Sequence, residues 1–216
     1  MIIESPELMN HPQAKYLEDI KDALEKVEPI YYNWYKHKPA TDGTVSEEIQ
    51  RSNEERVFSY ELYHQIRKIM DTKPKYDRYE GVHLNGEAIK DDKFFTTLYE
   101  GLSTIFDSIK SDKFNKKMPD LVLHKDPGSI NEEGQIYLAE IKMKDNDKAL
   151  DDLFKLTMFE KSGLKFRFYI FIYVGKTIDD LKNELKKIDV SKVSKNIVCI
   201  CVKYQQAKCN KLGELI

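Results

Sequence analysis

Apolar residues recur at intervals of three and four along residues 14–37, where Leu17, Ile20, Leu24, Val27 and Tyr31 share one side. That spacing predicts a helix, with Pro29 as a kink or an end inside it. Trp34, with Tyr31, Tyr32 and Tyr35, forms an aromatic cluster that reads as packing of this helix onto the main domain rather than as a base-stacking platform. Residues 39–45 read as a loop. Ser46 then offers an N-cap for a second helix, with Glu47 and Glu48 in the first turn and Phe58, Leu62, Ile66 and Ile69 as its buried stripe. This helix should stop before Pro74.

Residues 76–89 look extended, with a turn signal at Asn85-Gly86. Residues 91–110 carry Phe94, Leu98, Leu102, Ile105 and Phe106 at helical spacing. A regular series follows. Residues 118–124 form a short strand, 126–134 a long turn, and 135–143 a second strand. A helix over 147–161, a buried strand over 166–174, a helix over 177–188 and a strand over 196–203 complete it. A hairpin followed by strands separated by helices predicts an α/β fold: a central mixed sheet flanked by helices. The expected division is a helical extension over 1–45, outside the core, and a main domain over 46–216.

Composition narrows the class. Charged residues make up 33% of the 216 residues, above the ~25% of an average soluble domain, and they are spread along the chain rather than gathered in one block. The net charge of −2 and the pI near 6.2 argue against a protein that coats nucleic acid electrostatically, though not against a local basic groove. The longest apolar runs, 168–174 and 197–202, are far shorter than the roughly 20 residues that span a bilayer, so no membrane partner is expected. The start, Met-Ile-Ile-Glu-Ser-Pro-Glu, has neither the basic residues nor the apolar stretch of a signal peptide, so a cytoplasmic location is expected. Cys199, Cys201 and Cys209 have no further ligand at zinc-site spacing and read as reduced, buried thiols.

The candidate chemistry lies on the hairpin. In Tyr137-Leu138-Ala139-Glu140-Ile141-Lys142, residues two apart share a face, so Glu140 and Lys142 point one way and Ala139, Ile141 and Met143 the other. Pro119 is tolerated at a strand start, and a tight antiparallel neighbour would bring Asp120 close to Glu140. Magnesium takes hard oxygen ligands, typically including one or two carboxylates. Asp120 and Glu140 could supply them, with the Ile141 carbonyl and water completing the shell. Lys142 would orient or help deprotonate the attacking water, or stabilise developing negative charge. A structural ion-pair cluster is the competing reading, but burying charges within an apolar strand has a desolvation cost that folding alone does not require.

These residues resemble the PD-(D/E)XK, or restriction-endonuclease-like, nuclease superfamily. Pro119-Asp120 is similar to its first motif element and Glu140-Ile141-Lys142 to its second. Asp151-Asp152-Leu153-Phe154-Lys155-Leu156 looks like the helix that follows, and 168–175 like the next core strand, so the likeness covers about residues 46–203. The resemblance implies a magnesium-dependent (or manganese-dependent) phosphodiesterase acting on nucleic acid, DNA before RNA, with Asp120, Glu140 and Lys142 catalytic. It also allows a homodimer. Members often add a carboxylate from a preceding helix; Glu61, mid-helix among aromatics, is the choice here, with Glu54 in reserve and Glu87 as another candidate. Lys116, Lys117, Lys125 and Lys144 flank the site and are candidates for phosphate contacts. His124 reads as a residue near the sheet end and His64 as a surface residue. Two other functions remain open: a binding or regulatory protein that keeps the fold without cleavage, and a hydrolase of another phosphate ester.

Overall fold

The structure, a computed structural model, describes residues 2–3, 5–11, 13–31, 34–39, 45–50, 55–72, 76–86, 119–125, 134–143, 149–161, 165–203 and 205–216. Its strands are β1 (Ile2–Ile3), β2 (Trp34–Pro39), β3 (Val45–Gln50), β4 (His83–Gly86), β5 (Leu121–His124), β6 (Gln135–Met143), β7 (Phe168–Val174), β8 (Val198–Lys203) and β9 (Gln206–Lys211). Its helices are α1 (Pro6–Met9), α2 (Ala14–Lys26), α3 (Glu55–Met70), α4 (Tyr76–Tyr79), α5 (Ala149–Lys161) and α6 (Ile178–Leu185). The helix expected over 91–110 lies outside the described residues.

Seven strands form one mixed sheet in the order β1-β9-β8-β7-β6-β5-β4. β4 and β6 each run antiparallel to β5 between them, β6, β7 and β8 run parallel, and β9 returns antiparallel to β8. β7 shows why the centre of the sheet is legible as an apolar run. Ile170, Ile172 and Val174 join the core under α2 and α3, while Tyr169, Phe171 and Tyr173 join the core under α5 and α6. A parallel strand covered by helices on both faces has no side for polar residues. The α/β class, the mixed sheet and its flanking helices are as expected. Among the described residues, no helix is long and apolar enough to cross a membrane.

Four local expectations are corrected. The first helix ends at Lys26, not at residue 37; Val27 is extended, Pro29–Tyr31 is a single 3-10 turn, and Trp34–Pro39 is a strand. Pro29 has no N–H for the helical ladder, and it drives the residue before it out of the helical region. The aromatic residues that follow are good strand formers. Ser46 does not cap a helix: it lies in β3, opposite Lys38 of β2, so a hairpin partner overrides the local capping signal. Asn85-Gly86 is not a turn but the end of β4, paired with Val122 and Leu121, and a Cβ on Gly86 would stand 3.5 Å from the Tyr63 ring. Within the segment expected to be extended, residues 76–79 are helical.

The N-terminal helix is also not outside the core. Leu17, Ile20, Ala23, Leu24 and Val27 are buried in the same cluster as the α3 stripe of Phe58, Leu62, Ile66 and Ile69. The reason is chain economy at the sheet edge: β9 needs cover on that face, and α2 supplies it, while β1 pairs with β9 in parallel.

Candidate active site

Asp120 stands immediately before β5, and its N–H donates to the Ala139 carbonyl (3.1 Å), which continues the β5–β6 ladder. Leu121 pairs with Ala139, so Asp120 faces Glu140 across the hairpin. The Asp120 carboxylate accepts a hydrogen bond from the Ile141 N–H at 2.7 Å. Glu140 is 2% exposed, and its Oε1 lies 2.6 Å from Nζ of Lys155 on α5, itself buried. That oxygen has no well-directed hydrogen bond despite the close ammonium. Lys142 Nζ sits between Glu55 Oε2 (3.3 Å) and Asp152 Oδ2 (3.4 Å). Glu55 Oε2 also accepts from the Met143 N–H (3.3 Å), which ties the first turn of α3 to the end of β6.

The cluster thus sets four carboxylates (Glu55, Asp120, Glu140, Asp152) against two ammonium groups (Lys142, Lys155). Burial pushes the Asp120 carboxyl up to about 7; the Ile141 N–H and Lys155 pull it down, while Glu55 and Asp152 push it up. Glu140 is raised by burial first and then by the charge of Asp120, against the pull of Lys155. Lys142 is drawn down by burial, but Asp152 and Glu55 outweigh this and raise it overall. Lys142 is therefore a firm cation at neutral pH, which suits charge stabilisation and not proton abstraction.

Do these residues fit a divalent cation? Two buried carboxylates that resist ionisation together are the donor set whose repulsion a cation relieves. The excess of carboxylates and the poorly satisfied Glu140 Oε1 point the same way. Among the described residues, however, no group of three His, Cys, Asp or Glu side chains is gathered as a ready cage. Asp120 is turned to a backbone donor and Glu140 to Lys155, so binding would require these two to exchange partners.

The structure brings Asp120, Glu140 and Lys142 together, with Ile141 between them. It does not bring Glu61 to them through any contact it shows. Glu61 accepts from Gln65 Nε2 at 2.6 Å and lies beside Tyr31, whose hydroxyl it pushes up. The first-turn Glu55 of the same helix reaches the cluster instead. Glu54, Glu87, Lys116, Lys117 and Lys144 lie outside the described residues. Lys125 is at the far end of β5, roughly 17 Å along the strand from Asp120 at ~3.4 Å per residue. Its N–H donates to Gly134 (2.7 Å) at the opposite end of the hairpin. His124 is buried near that end, 2.9 Å from the Asn85 amide, and His64 is exposed, both as expected.

Glu55, Asp152 and Lys155 were not anticipated. The signal for the last two was a charged pair three residues apart on a helix whose Leu153 and Leu156 are fully buried. Such spacing puts both side chains on neighbouring positions of one face. Comparison with family models, with curated proteins and with solved structures found no match to this chain.

Proposed function

We propose that this protein is a metal-dependent phosphodiesterase of the PD-(D/E)XK type, acting on nucleic acid and on DNA before RNA. The observation that carries this reading is the facing pair Asp120 and Glu140, buried in an excess of carboxylates beside a permanently charged lysine. The order of sheet strands, with the motif hairpin followed by a helix and a parallel strand, supports it. The preference for DNA rests on the resemblance alone.

Asp120 and Glu140, with the Ile141 carbonyl, would hold a magnesium or manganese ion, and Glu55 is the nearest further carboxylate on a different element. When bound, such an ion supplies Lewis acidity toward a phosphoryl oxygen and offsets negative charge at the scissile phosphate. Lys142, held between Glu55 and Asp152, presents its ammonium where an oxygen gains negative charge. Lys155 neutralises Glu140 while no other cation does so, which keeps two like charges from being buried unpaired. The α5 helix and the apolar face behind Ile141 exclude water from the backs of these groups.

The test is cleavage of single- and double-stranded DNA and RNA with magnesium or manganese against chelator, with Asp120→Ala and Lys142→Ala alongside. Metal-dependent cutting lost in both variants supports the reading. A second reading, a binding protein that does not cut, is favoured by one observation: the close Lys155–Glu140 pair already satisfies the charge a metal would meet. Calorimetry separates the two, since no heat with either ion and no cutting on any substrate would leave the binding role.

A further inference from the structure

A further group of lysines stands on the face of the sheet that carries Lys142. Across the sheet, Lys142 pairs with Tyr173, Tyr173 with Cys201, and Cys201 with Lys208. Directly paired residues share a face, so Lys208 lies on the same face as Lys142, about 14 Å away at three strand spacings of ~4.8 Å. There a cavity of about 370 Å³ opens off the ends of β7 and β8, and Lys176, Lys182, Lys203 and Lys208 all line it, with Asp179 also in its wall. Two further acids stand close to it: Asp180, which caps α6 and feels the charges of Lys203 and Lys176, and Glu184, which accepts from the Tyr173 hydroxyl (2.9 Å) and from Lys176 (3.3 Å). The N-terminus of α6 adds little, because Thr177 and Asp180 already close it as a reciprocal cap. The positive character comes from the lysines, in a chain whose net charge is −2.

We propose that this cavity binds the phosphodiester backbone of a nucleic acid whose strand continues to Lys142. This rests on the proposed phosphodiesterase reading for its partner, and it replaces Lys125, which stands at the wrong end of the sheet. A polymer fits better than a small anion, because four lysines gather at the same end of the sheet as Lys142, with the buried Tyr173 and Cys201 between them. At ~3.4 Å of rise per phosphate on one strand, the 14 Å step spans about four phosphates. DNA and RNA share this chemistry, and cation placement alone does not choose between them.

The test is equilibrium binding of duplex DNA and duplex RNA to the full chain in chelator, where no strand is cut, over a range of salt. The variant Lys182→Ala/Lys203→Ala/Lys208→Ala is compared with wild type and with Lys15→Ala/Lys26→Ala/Lys68→Ala, three exposed lysines of the helices on the opposite face. We expect the cavity variant to bind roughly tenfold to 100-fold more weakly, with a salt slope reduced by about 1 per lysine. The control triple should keep the wild-type slope. Singles at Lys182 and Lys208 should each show about a third of the slope change, which guards against a folding defect in the triple. Equal affinity and slope in wild type and cavity variant overturn the inference, even if wild type cuts DNA with magnesium. Binding lost in the cavity variant, with no cutting by wild type, upholds the inference and removes the enzymatic reading. A wild type that neither binds nor cuts removes both, and tight binding of inorganic phosphate with no binding of either duplex overturns the polymer in favour of a small anion.

Discussion

β6 and β7 are neighbours in exact parallel register, and they are built to opposite ends. Opposite Phe171 and Tyr173 of β7 stand Glu140 and Lys142 of β6. Both pairs face the same layer of helices, and both are buried. β7 meets the ordinary demand of that position with aromatic rings in a closed core. β6 puts charges there, and α5 must answer them with Lys155 and Asp152. On the other face the two strands agree: Ile141 and Ile172 pair within one apolar core. The contrast separates what the fold requires from what it merely tolerates. Only the charged face of β6 lacks a structural reason.

The largest way to break this comparison is through activity. Glu140→Gln keeps the shape and removes the charge, and metal-dependent cleavage should fall by about 10³-fold, in the range seen when one electrostatic group of a preorganised site is lost. Stability should fall as well, since the substitution leaves the buried Lys155 ammonium without its counter-charge. Phe171→Ala, at the paired position, should separate the two effects: a loss of ~3–5 kcal/mol from the core, with turnover per folded molecule nearly intact. Chemical denaturation and single-turnover cleavage on both variants decide it. Equal behaviour of the two would remove the distinction.

Next comes the pair that answers the charge. Lys155→Met leaves Glu140 buried without its cation and should cost ~3–5 kcal/mol. Lys155→Met/Glu140→Met should recover most of that loss in urea unfolding. If the single variant is as stable as wild type, Lys155 does not compensate Glu140.

Stability against pH is a smaller effect with a definite sign. The Asp120 carboxyl is held up near 7 in the folded chain, against 3.8 ordinarily, chiefly by burial. Between those values the folded state holds a proton that the unfolded state has lost. Stability is therefore fullest at the acid end of this window and falls as pH rises through about 7, by at most about 1.4 kcal/mol per pH unit. Glu140 moves in the same direction. In chelator, Asp120→Asn should flatten the curve between pH 5 and 8, and parallel curves for the two proteins would contradict the buried ionisation.

The same contrast explains what could be read in advance. β7, β8 and the Glu140–Lys142 strand announce themselves because burial on two faces writes an unbroken apolar run, and two charges inside such a run are conspicuous. β9 does not: Ala207 and Cys209 are buried between exposed Gln206 and Lys208, and the tight turn before it has Gln205 at φ 59° where a glycine would have flagged it. The supporting charges were hidden for a different reason. Glu61 reads as a site carboxylate because an idle charge is unexpected mid-helix among aromatics, yet Gln65 and Tyr31 answer it. Glu55 is not among the candidates because Ser46 reads as the helix start, which places Glu55 in mid-helix, whereas the hairpin β2–β3 takes that stretch. With α3 beginning at Glu55, that carboxylate sits in a first turn, where the helix dipole favours it, and it faces Lys142. Pairing partners distant in sequence decide both cases.

The finest test sits behind the site. Ile141 lends its N–H to Asp120, and its side chain packs in the core beside Ile172, which is fully buried. Ile172→Val removes one methyl group on the silent face and should cost ~0.5–1.5 kcal/mol. If β6 is a rigid plate carrying chemistry on one side only, the rate per folded molecule should change less than twofold. A larger drop, with stability down by no more than that amount, would mean that the Asp120–Ile141 bond shifts when packing behind it loosens. The apolar face of β6 would then belong to the site as a positioning surface, and the division between the two strands would run through their faces rather than between them.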